Sequence, residues 1–145
     1  MRLTTLFFLA LSAVIPPTAW AQTAPKEATL YKDPQCGCCE GYAAYLRDHG
    51  FKVKVVDTHD LPLIKQEHGV PTELEGCHST IVDGYVVEGH VPVGTLNRLL
   101  TEKPNIKGIS LPGMPQGSPG MYGTKTGPFT IYEIGSDTSK VYATE

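Results

Sequence analysis

The chain has 145 residues, with 12 Lys+Arg against 15 Asp+Glu and no run of basic residues. A phosphate backbone is held by clustered Lys and Arg, so this composition argues against a nucleic-acid partner. Four cysteines in so short a chain point either to a disulfide framework or to sulfur chemistry.

Residues 1–21 read as a secretory signal peptide: Arg2, an apolar run from Leu6 to Ile15, and Ala19 and Ala21 at the small-residue cleavage positions. The run is shorter than the roughly 20 apolar residues of a membrane span, and no cysteine follows it to take a lipid. No membrane anchor is expected, and residues 22–145 are expected to form a single exported domain.

Ala28–Tyr31 is a strand candidate that Asp33-Pro34 ends. From Cys38 to His49, Cys39, Tyr42, Ala43 and Leu46 recur at helical spacing, and Gly50 stops the run. Lys52–Val56 alternates as a strand, and Leu61–His68 reads as a short helix broken by Gly69 and Pro71. Ser79–Val82 and Tyr85–Glu88 flank Asp83-Gly84, a strong hairpin signal. A helix over Val93–Thr101 follows, with Leu96, Leu99 and Leu100 on its core face.

Past Pro104 the chain becomes rich in Gly and Pro, and the loop Leu111–Met121 carries both Met114 and Met121. Its composition alone would suit a linker. Two further strand-like segments, Phe129–Ile134 and Val141–Thr144, make a loop packed over the domain the better expectation. The order strand, helix, strand, helix, hairpin, helix predicts an α/β fold, a mixed sheet flanked by helices.

Three of the four cysteines stand in Cys36-Gly-Cys-Cys39. Cys36 and Cys39 have the spacing of a thiol–disulfide enzyme, but Cys38 is a thiol that such an enzyme does not need. The cluster falls between the first strand and the first helical turn, where unpaired N–H groups and the helix dipole favour thiolate. Cys77, in Glu75-Gly-Cys-His-Ser79, immediately precedes the hairpin. If strand polarity brings that point to the same sheet edge, four sulfurs converge, with His78 beside them.

Soft sulfur donors select Cu(I), zinc or iron–sulfur. Cys38 and Cys39, as helix neighbours, are expected to point in different directions and to serve poorly as two ligands of one tetrahedral ion. Adjacent thiolates suit bridging, which favours a copper–thiolate site of more than one ion. Met114 and Met121 are further soft donors if the loop folds back, or else fill an apolar surface. His90 is a ligand, a supporting donor or a loop residue. His49 suits a helix-capping role, and His59 and His68 need no special one. Asp33 either tunes a thiol or organises its turn, and Gly37 would permit a close approach. A structural Cys36–Cys39 disulfide stays open as an alternative.

These residues resemble the exported copper-resistance proteins of the CopG type, formerly a domain of unknown function. The likeness is carried by Cys36-Gly-Cys-Cys39, Gly69-Val-Pro71, Gly76-Cys-His-Ser79, Val82-Asp-Gly-Tyr85, Val87-Glu-Gly-His-Val-Pro92, Arg98-Leu-Leu100 and the whole loop Leu111–Met121. The resemblance implies a thioredoxin-like fold, a periplasmic location and copper bound by Cys36, Cys38, Cys39 and Cys77, with more than one ion and a Cu(I)/Cu(II) redox role. It leaves Met114, Met121, His78 and His90 as additional candidates, and other periplasmic copper-resistance proteins as candidate partners. Thioredoxins place a cis-proline beside their CxxC, whereas the corresponding loop here carries Cys77-His78. That difference favours ligand supply. Three readings follow: a copper-binding protein acting as a copper-dependent oxidoreductase, a thiol–disulfide oxidoreductase using Cys36 and Cys39, and a passive copper or zinc carrier.

Overall fold

The computed structural model describes residues 24–135 and 140–145; the signal-peptide reading of residues 1–21 lies outside them. A seven-stranded mixed sheet is flanked by three α-helices, as an α/β fold should be. In chain order these are β1 (Lys26–Lys32), α1 (Gly37–Asp48), β2 (Phe51–Asp57), α2 (Leu61–Glu67), β3 (His78–Val82), β4 (Tyr85–Gly89), α3 (Val93–Glu102), β5 (Gly108–Leu111), β6 (Thr130–Ile134) and β7 (Val141–Thr144). The strands lie in the order β2-β1-β3-β4-β5-β6-β7. β1 pairs parallel with β2, and β4 with β5; the remaining pairs are antiparallel.

The helices form where the apolar spacing places them. Cys39, Tyr42, Ala43 and Leu46 line the buried face of α1, and Leu96, Leu99 and Leu100 that of α3. Both helices pack on one face of the sheet, against Ala28, Leu30, Val53, Val82, Val87, Ile109 and Ile131. The opposite face is covered by α2 and a short 3-10 turn, Thr72–Leu74, over a smaller cluster of Val70, Leu74, Val86 and Ile134. Asp83, at φ 48°, and Gly84, at φ 83°, turn the β3–β4 hairpin. That pair of left-handed residues is what a type I′ turn requires.

Two elements differ from the expectation. β5 was not foreseen: only its last residue, Leu111, belongs to the expected loop, and four residues between Pro104 and Pro112 are too few to show a period. All four are buried, and β5 becomes a strand by docking beside β4 through the α3 crossover. The 3-10 turn after α2 was likewise not foreseen. Among the described residues, no helix is long and apolar enough to cross a membrane.

Candidate metal centre

The site begins where β1 ends. Beyond Lys32 the chain turns, with the Gln35 N–H donating to Asp33 Oδ1 at 2.8 Å and the Cys36 N–H to the Asp33 carbonyl at 3.0 Å. Asp33 therefore organises its turn. The Lys32 side chain is buried and pairs with Asp57 at 2.8 Å and Glu40 at 3.3 Å. Its bond to Asp57 is the main reason that its pKa is raised. Gly37 has open space beside its α-carbon, so among the described residues it makes no close contact within the fold.

Cys36 is the N-cap of α1, which puts Cys38 and Cys39 in the first turn. Cys36 and Cys39 form a disulfide, while Cys38 and Cys77 are free thiols. The antiparallel register pairs Lys32 with His78, so the start of β3 meets the end of β1 and delivers Cys77 to the cluster. Cys38 Sγ lies 3.5 Å from Cys36 Sγ and 4.0 Å from Cys77 Sγ; Cys77 Sγ lies 3.7 Å from Cys39 Sγ. All four sulfurs fall within 4.8 Å of one another. Cys77 thus sits within reach of both Cys38 and Cys39.

Cys77 joins a second cluster, with His78 and His90. Its sulfur is 3.3 Å from His78 Nδ1 and 3.2 Å from His90 Nε2. His90 Nδ1 lies 2.6 Å from the Pro119 carbonyl. That oxygen can only accept, so Nδ1 carries the proton and Nε2 offers its lone pair toward Cys77. Both imidazoles pack on the fully buried Tyr42, at centroid distances of 4.8 Å for His78 and 5.3 Å for His90. The Tyr42 hydroxyl donates to the Val91 carbonyl at 2.8 Å.

Burial shapes the electrostatics. It pushes His78 well below its ordinary pKa, aided by His90 and Lys65, and lowers His90 as well. Both rings are therefore neutral and able to ligate. Burial, with Cys38 alongside, pushes the Cys77 thiol up to about 12. A metal at Cys77 would have to displace a proton. Once the Cys36–Cys39 disulfide is reduced, the donor set suits copper: four soft sulfurs gathered with two neutral imidazoles. Among the described residues, His78 Nε2 is moreover buried with no well-directed hydrogen-bond partner, and a buried polar atom so placed is costly.

A comparison with solved structures found two chains described as copper resistance protein copG, form 1 and form 2. Each is 33% identical to this chain and superposes with a TM-score of 0.76, covering 83% of this chain and 98% of the other. The chain belongs to the CopG-type copper-resistance family. A family profile described as a protein of unknown function, DUF411, also matches residues 74–121. A comparison with curated protein sequences found no significant match. The profile match within this CopG-type chain takes in Cys77, His78, His90 and the loop that ends at Met121.

That loop does fold back. Gly120 packs on the first half of α1, so closely that a Cβ at Gly120 would stand 2.6 Å from the Gly41 carbonyl carbon. Pro119 reaches His90, while Met121, the next residue after Gly120, is half-buried. Met114 is 43% exposed. His49 caps α1, with Nδ1 2.7 Å from the Tyr45 carbonyl; His59 is exposed, and His68 caps α2.

Sequence reasoning missed a polar group on the other face of the sheet. Glu88 is fully buried and ion-paired with buried Lys65; it also accepts a hydrogen bond from the Ser79 hydroxyl. Lys65 Nζ donates to Ser79 Oγ at 3.1 Å, and the Gly76 N–H donates to Glu88 Oε2 at 2.9 Å. A lysine in a seven-residue helix and a glutamate in a strand read as solvent-facing. The available signal was positional, since Ser79 and Glu88 are cross-strand partners in a hairpin rich in Val and Ile.

Proposed function

We propose that the chain is a periplasmic copper-binding protein of copper resistance, in which Cys36, Cys38, Cys39 and Cys77 hold a bridged site of more than one copper ion that cycles between Cu(I) and Cu(II). The observation that carries this is the gathering of all four sulfurs within 4.8 Å. With the Cys36–Cys39 disulfide reduced, four thiolates that close can each touch more than one ion. Copper would supply the one-electron chemistry; the protein supplies soft sulfurs that favour Cu(I) and the harder imidazoles of His78 and His90 that accommodate Cu(II). His90 is held in the ligating tautomer by Pro119. Met121, next to the packed Gly120, is a better additional donor than exposed Met114.

Anaerobic titration of the reduced protein with Cu(I), followed by metal analysis of the isolated complex, tests the reading. More than one copper per chain is expected; one or none would overturn the multinuclear site.

The Cys36–Cys39 disulfide favours a second reading, a thiol–disulfide oxidoreductase. That activity requires Cys36 and Cys39 alone, so Cys38→Ser should leave it intact while lowering copper stoichiometry. Under either reading, residues 22–145 form one domain exported by the segment 1–21. The order β2-β1-β3-β4, with a CxxC at the start of α1, supports describing that domain as thioredoxin-like.

A further inference from the structure

Glu88 and His90 are two residues apart, and in a regular strand their side chains would share a face. They do not. Glu88 meets Lys65 of α2 on one side of the sheet, whereas His90 meets Cys77 and the Tyr42 ring of α1 on the other. Gly89, at φ 70°, makes the reversal. Only glycine adopts that conformation without strain. Gly76 lies against it, backbone on backbone: a Cβ at Gly76 would stand 2.5 Å from the Gly89 nitrogen. The segments 76–78 and 88–90 are thus pressed together, and they carry Cys77, His78 and His90.

One carboxylate fastens both segments. Glu88 belongs to the second, and its Oε2 accepts the Gly76 N–H of the first, one residue before Cys77. Lys65 and the Ser79 hydroxyl fix that carboxylate in turn. A buried ion pair is a poor device for stability, because desolvation offsets its attraction and an apolar pair of like volume commonly serves as well. Its directional hydrogen bonds are what an apolar pair cannot reproduce. All three side chains are buried, and their hydrogen bonds run to one another and to the Gly76 N–H rather than to a proposed copper donor.

We propose that Lys65, Glu88 and Ser79 form a positioning network that sets Cys77 against His90 from the opposite face of the sheet, so that copper affinity and the copper–sulfur spectrum depend on residues that never contact the metal. This rests on the copper reading above. Outer partners of metal ligands commonly change affinity by about 10–100-fold when removed.

The test uses the reduced full-length mature protein and Cu(I) as the probe. Lys65→Met/Glu88→Leu replaces the ion pair with apolar side chains, and Lys65→Arg keeps it. Urea unfolding, chelator-competition titration and the copper–thiolate absorption are measured for each. The double variant should fold, bind Cu(I) at least tenfold more weakly and show a shifted absorption, while Lys65→Arg keeps both at their wild-type values. A folded double variant with wild-type affinity and spectrum overturns the proposal. Should that variant not fold, Ser79→Ala, which removes one hydroxyl, takes its place under the same criteria.

A wild-type chain that takes up no copper overturns the copper reading instead. Positioning is then judged in the metal-free, disulfide-containing protein with Cys38→Ser. Alkylation of Cys77 and hydrogen exchange at the Gly76 amide should both be at least tenfold faster in the double variant. Unchanged rates overturn the network as well.

Discussion

The sulfur of Cys77 lies 3.2 Å from Nε2 of His90, and the other nitrogen of that ring lies 2.6 Å from the Pro119 carbonyl. One imidazole thus links the cysteine cluster to the Gly/Pro loop. His90→Gln keeps a polar side chain but removes the fixed lone pair. It should weaken Cu(I) binding by about 10–100-fold, a loss typical when the partners around a metal are disturbed. Cys77→Ser should lose more, because it removes a sulfur shared by both clusters. Competition against a Cu(I) chelator ranks the two; wild-type affinity in His90→Gln would return His90 to a packing role.

The disulfide makes copper capacity depend on redox state. With Cys36 and Cys39 joined, only Cys38 and Cys77 remain as thiols. The oxidised protein should therefore hold fewer Cu(I) ions than the same protein pretreated with a thiol reductant. Cys36→Ser should abolish the difference. Copper-to-protein ratios after desalting measure both, and equal ratios in the two states would remove Cys36 and Cys39 from the ligand set.

Gly120 rests on α1 at φ 78°, with no room for a side chain. Gly120→Ala adds a backbone clash to an unfavourable dihedral and should cost about 1–3 kcal/mol. Gly127 has open space around it, and Gly127→Ala should be near neutral. Urea unfolding of both variants separates a packed loop from a loose one. Equal stabilities would mean that the loop does not close over α1 in solution.

Stability of the copper-free protein should fall on both sides of neutrality. Burial holds His78 and His90 below the 6.5 of a free imidazole, so below about pH 6.5 the unfolded chain takes up protons that the fold refuses. This contribution is full above that pH and is lost as pH falls toward the folded values. Cys77 acts in the opposite sense. Pushed up to about 12 from 9.0, it keeps its proton in the fold after the unfolded thiol has released it. Its contribution is full below about pH 9 and is lost as pH rises toward 12. Urea midpoints from pH 5 to 11 give both limbs; His78→Gln with His90→Gln should flatten the acid limb and leave the alkaline one.

Export would remove residues 1–21, and the mature chain should begin at Gln22. Intact-mass measurement of protein recovered from the periplasm checks the cut. A mass that includes Met1–Ala21 would refute it.

Apart from the 3-10 turn after α2, the sequence alone was enough for what depends on neighbours along the chain. Apolar spacing revealed α1 and α3, Asp83-Gly84 revealed the hairpin, and the crowding of Cys36, Cys38 and Cys39 announced sulfur chemistry. Even the arrival of Cys77 could be anticipated, because strand polarity constrains which loops share a sheet edge. What the tertiary structure decided are relations between segments whose side chains carry no mutual signal. β5 is a strand only because β4 and β6 lie on either side of it. Cys77 came within reach of both Cys38 and Cys39 only through the pairing of β3 with β1. Lys65 and Glu88 read as surface residues until the sheet buried them together. Burial, charge pairing and a glycine's close contact are properties of assembled surfaces, and local periodicity cannot report which surfaces will meet.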